Sequence, residues 1–360
     1  MTTEAITTIS TASATLSDPI EFCGTNPACK AIFNGNSKQH RVLNVSNAKS
    51  FVANLKFSNC NSGYGSASGE PGTGALGLYS GIVSNCVFTG GSGSGAGLVY
   101  QSGGLLTDCE ISSHNAGDHN GGDREGGGLH LVGGTSQRIV ISGCADGGAG
   151  GVYLNGDGAV LRDSIIRNNI SSAGGAVGLV KGLVENCIIT NNTSSGGTEG
   201  FGVAAGTGGA AVYQKGGTLR NCLIVDNRVK ASGELRGAHY ITGSSSKAYN
   251  NTVWANTLAD KTTNDVYIAS GTVKNVLAGT LSPEPPADDR NRSGFDHRFR
   301  NLAKGDFRPR SDWTEVIDRG ETMDWMSGAT DIGGNSRICN GKPDIGCHER
   351  YLPGIAIILR

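Results

Sequence analysis

Short apolar runs recur along the chain every 23 to 35 residues, and each run has the same internal pattern. Aligned on an Asn or Asp, they read VANLKF (52–57), VSNCVF (83–88), LTDCEI (106–111), LRDSII (161–166), VENCII (184–189), LRNCLI (219–224), AYNNTV (248–253) and VKNVLA (273–278). A weaker ninth copy, SQRIVI (136–141), fills the gap in the spacing. The first column (Val52, Val83, Leu106, Leu161, Val184, Leu219, Ala248, Val273) and the last (Phe57, Phe88, Ile111, Ile166, Ile189, Ile224, Val253, Ala278) are apolar. Alternate residues of a strand share a face, so both columns are predicted to point into a core. Between them runs a polar column, Asn54, Asn85, Asp108, Asp163, Asn186, Asn221, Asn250 and Asn275, where the alternation slips by one residue. Asn and Asp tolerate left-handed backbone, so this column predicts a corner whose side chains stack and hydrogen-bond from coil to coil.

A second corner is expected three residues after the last apolar column, at Cys60, Gly91, His114, Cys144, Asn169, Asn192, Asn227 and Asn256. A further strand per repeat follows a Gly-Gly or Gly-Ala: GALGLY (74–79), GAGLVY (95–100), GGLHLV (127–132), GGVYLN (150–155), GAVGLV (175–180) and GAAVYQ (209–214). No stretch sustains the 3.6-residue period of a helix, and a β-sandwich does not produce a one-directional repeat of this length. A stack of coils, each burying its face on the next, does. The reading is an all-β, single-stranded parallel β-helix, a solenoid of about ten coils over residues 41–279. Residues 1–40 form an N-terminal early coil or cap, and residues 280–360 a C-terminal closing segment.

Composition narrows the picture. Of 360 residues 58 are Gly, about twice the usual ~7%, without the three-residue period of collagen. Lys+Arg 30 against Asp+Glu 31 gives a formal charge of -1, so no nucleic-acid partner is indicated. No apolar run is long enough for a direct membrane span. The start, MTTEAITTISTASATLSDP, lacks a basic region and an apolar stretch, so no signal peptide is read in it.

The repeats resemble the right-handed parallel β-helix family that shares the pectate-lyase-like fold, including repeats of the polymorphic outer-membrane type. Residues 301–321 (NLAKGDFRPRSDWTEVIDRGE) and 330–349 (TDIGGNSRICNGKPDIGCHE) resemble the C-terminal choice-of-anchor Q region that follows β-helices in exported bacterial proteins. They depart from its pattern at Asp312-Trp313-Thr314, where Ser-Pro-Ala is usual, and at Cys347-His348, where Ala-Tyr is commoner. The resemblance implies an extracellular or cell-surface protein.

Candidate chemistry is concentrated in HNAGDHNGGDREGGGLH, residues 114–130. Asp118, Asp123 and Glu125 have the carboxylate donors to bind Ca²⁺. Arg124, His119 and His130 are the candidates for catalysis. Arg124 would act on a uronate as the basic residue does in acidic-polysaccharide lyases of this architecture, whereas hydrolases use paired Asp. The alternative is a solvated loop, with His114 a plain corner residue. Cys86, Cys109, Cys187 and Cys222 share a column with Leu55 and Val276 and are expected to be buried thiols. Cys23 with Cys29, and Cys339 with Cys347, lie outside the repeat as close pairs and are disulfide candidates. Asp318, Asp331, Asp344, Arg337 and Glu349 are expected to serve turns and an ion pair in the C-terminal segment. Two functions remain: a surface scaffold, adhesin-like or binding a polysaccharide or cell-surface glycan without catalysis and without a cofactor, or a polysaccharide lyase or glycoside hydrolase.

Overall fold

The computed structural model describes residues 6–8, 14–24, 31–35, 41–61, 74–93, 97–116, 126–172, 175–194, 211–229, 237–257, 265–283, 286, 289–294 and 298–350. They form a right-handed parallel β-helix; four coils add a two-residue strand of a fourth small ladder, from Ala145–Asp146 to Arg228–Val229, and a typical coil contributes three short strands. In one coil these are Leu76–Leu78, Ile82–Ser84 and Val87–Thr89. Stacking them gives three parallel ladders, called first, second and third in that order. The third holds twelve strands, from Ile6–Thr8 to Arg292–Ser293. The first and second merge into one 19-stranded sheet because Val152–Arg162 and Val177–Glu185 run unbroken through the corner between them.

The two apolar columns line the core. Val83, Leu106, Leu161, Val184 and Leu219 in the second ladder, and Phe88, Ile111, Ile166, Ile189 and Ile224 in the third, are fully buried. Ser136 fills the column in the weak ninth copy, paired with Leu106 and Leu161. Phe33, Phe57 and Phe88 stack at centroid distances of 5.4 and 5.1 Å. Stacking identical columns at the ladder spacing of ~4.8 Å is what brings like rings into contact.

The corner between the second and third ladders is a single residue in the left-handed region. Its φ is 59° at Asn54, 47° at Asn85, 56° at Asp108, 52° at Asp163, 53° at Asn186, 54° at Asn221, 53° at Asn250 and 56° at Asn275. The ninth copy places Arg138 there, at φ 50°. Its guanidinium grips Asp108 at 2.7 and 2.9 Å. Side chains at this corner point away from the core, open or half-buried from Asn54 to Asn186 and buried at Asn221, Asn250 and Asn275, so their partners depend on what is nearby. Asn85 donates to Asn54, Asn186 to Asp163 and Asn275 to Asn250. Asn221 and Asn250 instead donate to the carbonyls of Thr330 and Asp344.

The unbroken amide ladder stands at the other corner, inside the helix. Asn59, Ser113, Asn168, Asn191, Asp226 and Ala255 take the positive φ there, which turns the next side chain inward. Asn169 donates its side-chain amide to Asn192 at 3.0 Å, Asn192 to Asn227 at 3.0 Å, Asn227 to Asn256 at 2.9 Å and Asn256 to Asp265 at 2.8 Å. Each amide also donates to a core carbonyl, of Ile141, Ile166, Ile189 and Ile224 in turn. These polar groups are buried, and the ladder satisfies groups that would otherwise cost about 1–3 kcal/mol each.

The C-terminal segment was expected to close the far end of the stack; residues 298–350 are packed on its flank. Leu223, Val225, Trp254 and Leu277 point out of the third ladder and meet Phe299, Phe307, Trp313, Val316, Ile317 and Ile345 in a second core. The outward face of the last coils is apolar, which is why a segment lies along it rather than across the opening. Trp313, one of the departures from the resembling pattern, is fully buried, with its ring 5.2 Å from that of Phe299. Arg337, also fully buried, donates to the carbonyls of Asp344 and Gly346 at 2.7 Å each and lies 3.1 Å from Glu349. Asp331 accepts the backbone N–H groups of Gly333, Asn335 and Glu349, and Asp344 those of Asp318 and Arg350. Among the described residues no helix is long and apolar enough to cross a membrane.

Candidate functional site

The outward face of the first ladder carries a line of aromatic rings. Registration of the strands puts Tyr100 beside His130 and His130 beside Tyr153, then, after Gly178, Tyr213, Tyr240 and Tyr267. Tyr79, one step past its strand, joins the line. Centroid separations are 6.0 Å for Tyr79–Tyr100, 5.4 Å for Tyr100–His130 and 5.2 Å for His130–Tyr153. The lower group continues at 5.5 Å for Tyr213–Tyr240 and 5.6 Å for Tyr240–Tyr267. The flanking residues Leu129 and Leu131, and Val152 and Leu154, are buried in the core, so the rings must project from the opposite face.

Arg41 completes the upper group. Its guanidinium lies 5.7 and 5.6 Å from the Tyr79 and Tyr100 ring centroids and donates to the Tyr79 hydroxyl and, at 3.1 Å, to Asn44. Gly77 makes room for it. A Cβ at position 77 would meet Asn44 Oδ1 at 2.6 Å and Arg41 Cδ at 2.8 Å. The result is a cation lying on a half-buried aromatic strip, an arrangement in which ring faces and guanidinium support each other.

His130 is the one catalytic candidate among the described residues. It lies within the ring line and is 3% exposed. Asp118, His119, Asp123, Arg124 and Glu125 lie outside the described residues, so the expected Ca²⁺ cluster and the Arg124 and His119 sites are not described structurally. Among the described residues no group of three or more His, Cys, Asp or Glu is arranged to hold a metal ion. His114 points into the second corner, and burial lowers its pKa to about 4.

The disulfide expectation needs correction at Cys339–Cys347. Both are free thiols. Cys347 is buried in the second core, where its N–H donates to Thr252, whereas Cys339 is a partly exposed residue of a tight turn bridged to Lys342. Cys23 is a free thiol, and Cys29 lies outside the described residues. In the shared column Cys109, Cys187 and Cys222 are buried thiols, with Cys109 and Cys222 pushed up in pKa by burial.

The aromatic line is hidden in the sequence because two of the Gly-led windows stand out of register. Leu76 pairs with Val99, so GALGLY aligns with residues 97–102 rather than 95–100, and Val212 occupies the third position of 210–215. In the true register Tyr100, His130, Tyr153, Tyr213, Tyr240 and Tyr267 share one column. The signal was present as an aromatic between two inward residues, repeated in VYQ, LHL, VYL, VYQ, HYI and VYI, with Gln101, Gln214 and His239 as the polar members of the flanking places.

No family model matches the sequence, and no curated protein matches it. Among solved structures it is similar to the crystal structure of pectate lyase Pel9A, with a TM-score of 0.48 and 13% sequence identity, covering 96% of this chain and 86% of that one.

Proposed function

We propose that this chain is an exported or cell-surface β-helix scaffold that binds carbohydrate along the outward face of the first ladder, without catalysis. The observation that carries the reading is the strip formed by Tyr79, Tyr100, His130 and Tyr153 with Arg41 across its end. Sugars present apolar C–H faces to aromatic rings and hydroxyls to hydrogen-bonding groups, and a ring with a polar tip serves both. A line of rings along the helix axis suits a polymer lying the same way, with the half-buried Tyr79, Tyr100 and Tyr153 as its contacts. Arg41 adds a positive charge at one end, which favours a glycan bearing carboxylates or sulfates. Export and surface location rest on the resemblance of residues 301–349 to the choice-of-anchor Q region.

The test is binding to a panel of neutral and acidic polysaccharides by affinity electrophoresis, with calorimetry on oligosaccharides. Tyr100→Ala and Arg41→Ala should each weaken binding by roughly tenfold, the scale of a lost ring contact or cation–π pair. Binding unchanged in both variants would overturn the assignment to this face. Steady release of unsaturated or reducing-end products from any polysaccharide would replace the scaffold with the lyase or hydrolase alternative.

A further inference from the structure

The second ladder presents a different outward face, and one column of it is largely apolar. Phe51, Ile82, Leu105, Thr135, Val160 and Leu183 stand in register on six successive coils. None of them is buried, and Ile82 is 37% exposed. The stripe ends in charge at both extremities. Glu21 precedes Phe51, while Thr218 and then Lys247 follow Leu183, and both charged residues are exposed. One edge of this face is the single-residue corner and the other holds short turns such as Ser102–Gly104, while beyond Leu183 the C-terminal segment lies beside it, with the Trp325 ring 4.5 Å from the Arg220 guanidinium. Parallel sheets are ordinarily covered on both faces.

We propose that this stripe joins two copies of the chain, packed face to face with their helix axes antiparallel. The twofold axis runs along the strand direction through Thr135. Reversal about that point sets Leu105 against the partner's Val160 and Ile82 against the partner's Leu183. It sets Phe51 against the partner's Thr218, and Glu21 against the partner's Lys247. Apolar pairs therefore flank a central Thr135–Thr135 contact, and each end is closed by an opposite-charge pair. The neighbouring outward column is compatible: Thr107 faces the partner's Arg162 and Ser84 the partner's Glu185, so no like charges meet. Parallel packing in register would instead place Glu21 on Glu21 and Lys247 on Lys247. An isologous contact repeats each pair twice, which is the usual form of a two-copy assembly.

From Glu21 to Lys247 the contact spans nine rungs, about 38 Å at ~4.8 Å per rung. A strip about 15 Å wide then covers on the order of 600 Å² per copy, at the lower bound of stable interfaces. The pair should accordingly form in the micromolar range. The glycan-binding face proposed above lies on another ladder and stays open in the pair, so either proposal can fail without the other.

Sedimentation velocity on the full chain, from low micromolar to hundreds of micromolar, tests this. A monomer–dimer equilibrium is expected. Glu21→Lys alone and Lys247→Glu alone should each weaken it by roughly tenfold, since symmetry removes two pairs and creates two repulsions. The double variant should restore it. Leu105→Lys should abolish it, with far-ultraviolet circular dichroism confirming the fold. A monomer at every concentration would overturn the proposal, as would a dimer indifferent to both single charge variants or one that the double variant fails to restore.

Discussion

Asn256 donates both its backbone N–H and its side-chain amide to one oxygen of Asp265, at 3.2 and 2.8 Å. The inner ladder thus ends on a carboxylate where every earlier rung from Asn169 is an amide. Each Asn accepts from the coil before and donates to the coil after, so the last member has only to accept. An ionised carboxylate offers acceptors alone. Asp265, supplied by the start of the next first-ladder strand, meets that requirement.

Removing a middle rung should be costly. Asn227 accepts from the N–H and the amide of Asn192, and donates to Ile189, Val225 and Asn256. Asn227→Ala leaves several buried groups without partners, and a loss of about 3 kcal/mol is expected in urea denaturation. Asn186→Ala, at the half-exposed outer corner, should cost less, about 1–2 kcal/mol, mainly from forcing Ala to a φ near 53°.

The terminal carboxylate should leave a pH signature. Burial raises the Asp265 pKa to about 6, above an unfolded value of ~3.9. A raised folded pKa means that the fold favours the protonated form. Its contribution to stability is therefore full below about pH 4 and is lost as pH rises through about 6. The stability difference between wild type and Asp265→Asn should shift by about 2 kcal/mol against the wild type between pH 4 and 7. Taking the difference cancels His114, lowered to about 4, and His239, lowered to about 3, both by burial, which act in the opposite sense. A flat difference across that window would show that Asp265 does not titrate there.

Trp313 anchors the flanking segment. Trp313→Ala removes a fully buried indole from the core that joins residues 299–347 to Leu223, Trp254 and Leu277, at an expected cost of about 3–5 kcal/mol. Hydrogen exchange should then rise throughout residues 298–350 while strands such as Val140–Ser142 keep their protection. Equal loosening of both regions would mean that the segment is integral to the coils.

Thiol reactivity should separate the cysteines sharply. Burial pushes Cys60 and Cys347 up to about 12 and Cys144 to about 11. A maleimide should label the partly exposed Cys339 in the native chain and reach these three only on unfolding. Intact mass without reductant should show no Cys339–Cys347 bridge.

The coil was legible because its cause is local. Val184, Cys187 and Ile189 are buried and Asn186 turns at φ 53°, as the hexad pattern predicts, since side-chain alternation and left-handed tolerance belong to single residues. The outer Asn column was legible as a corner for the same reason. Its bonding was not, since whether Asn221 meets another rung or Thr330 depends on a segment 109 residues away.

The sequence by itself determined the period, the inward columns and the corners of the solenoid. Only the tertiary structure decided which strands stand in register, and that decided the function-bearing faces. A shift of two residues moves Tyr100 out of line with His130, and no single strand carries enough pattern to forbid the shift. The same holds for the C-terminal segment. Leu223, Val225 and Trp254 look like core residues of an ordinary strand, yet Leu223 and Trp254 point away from the helix interior, and the second core exists only because Trp313 and Phe299 fold back onto them. Burial on an outer face is a property of two distant segments together, and neither encodes it alone.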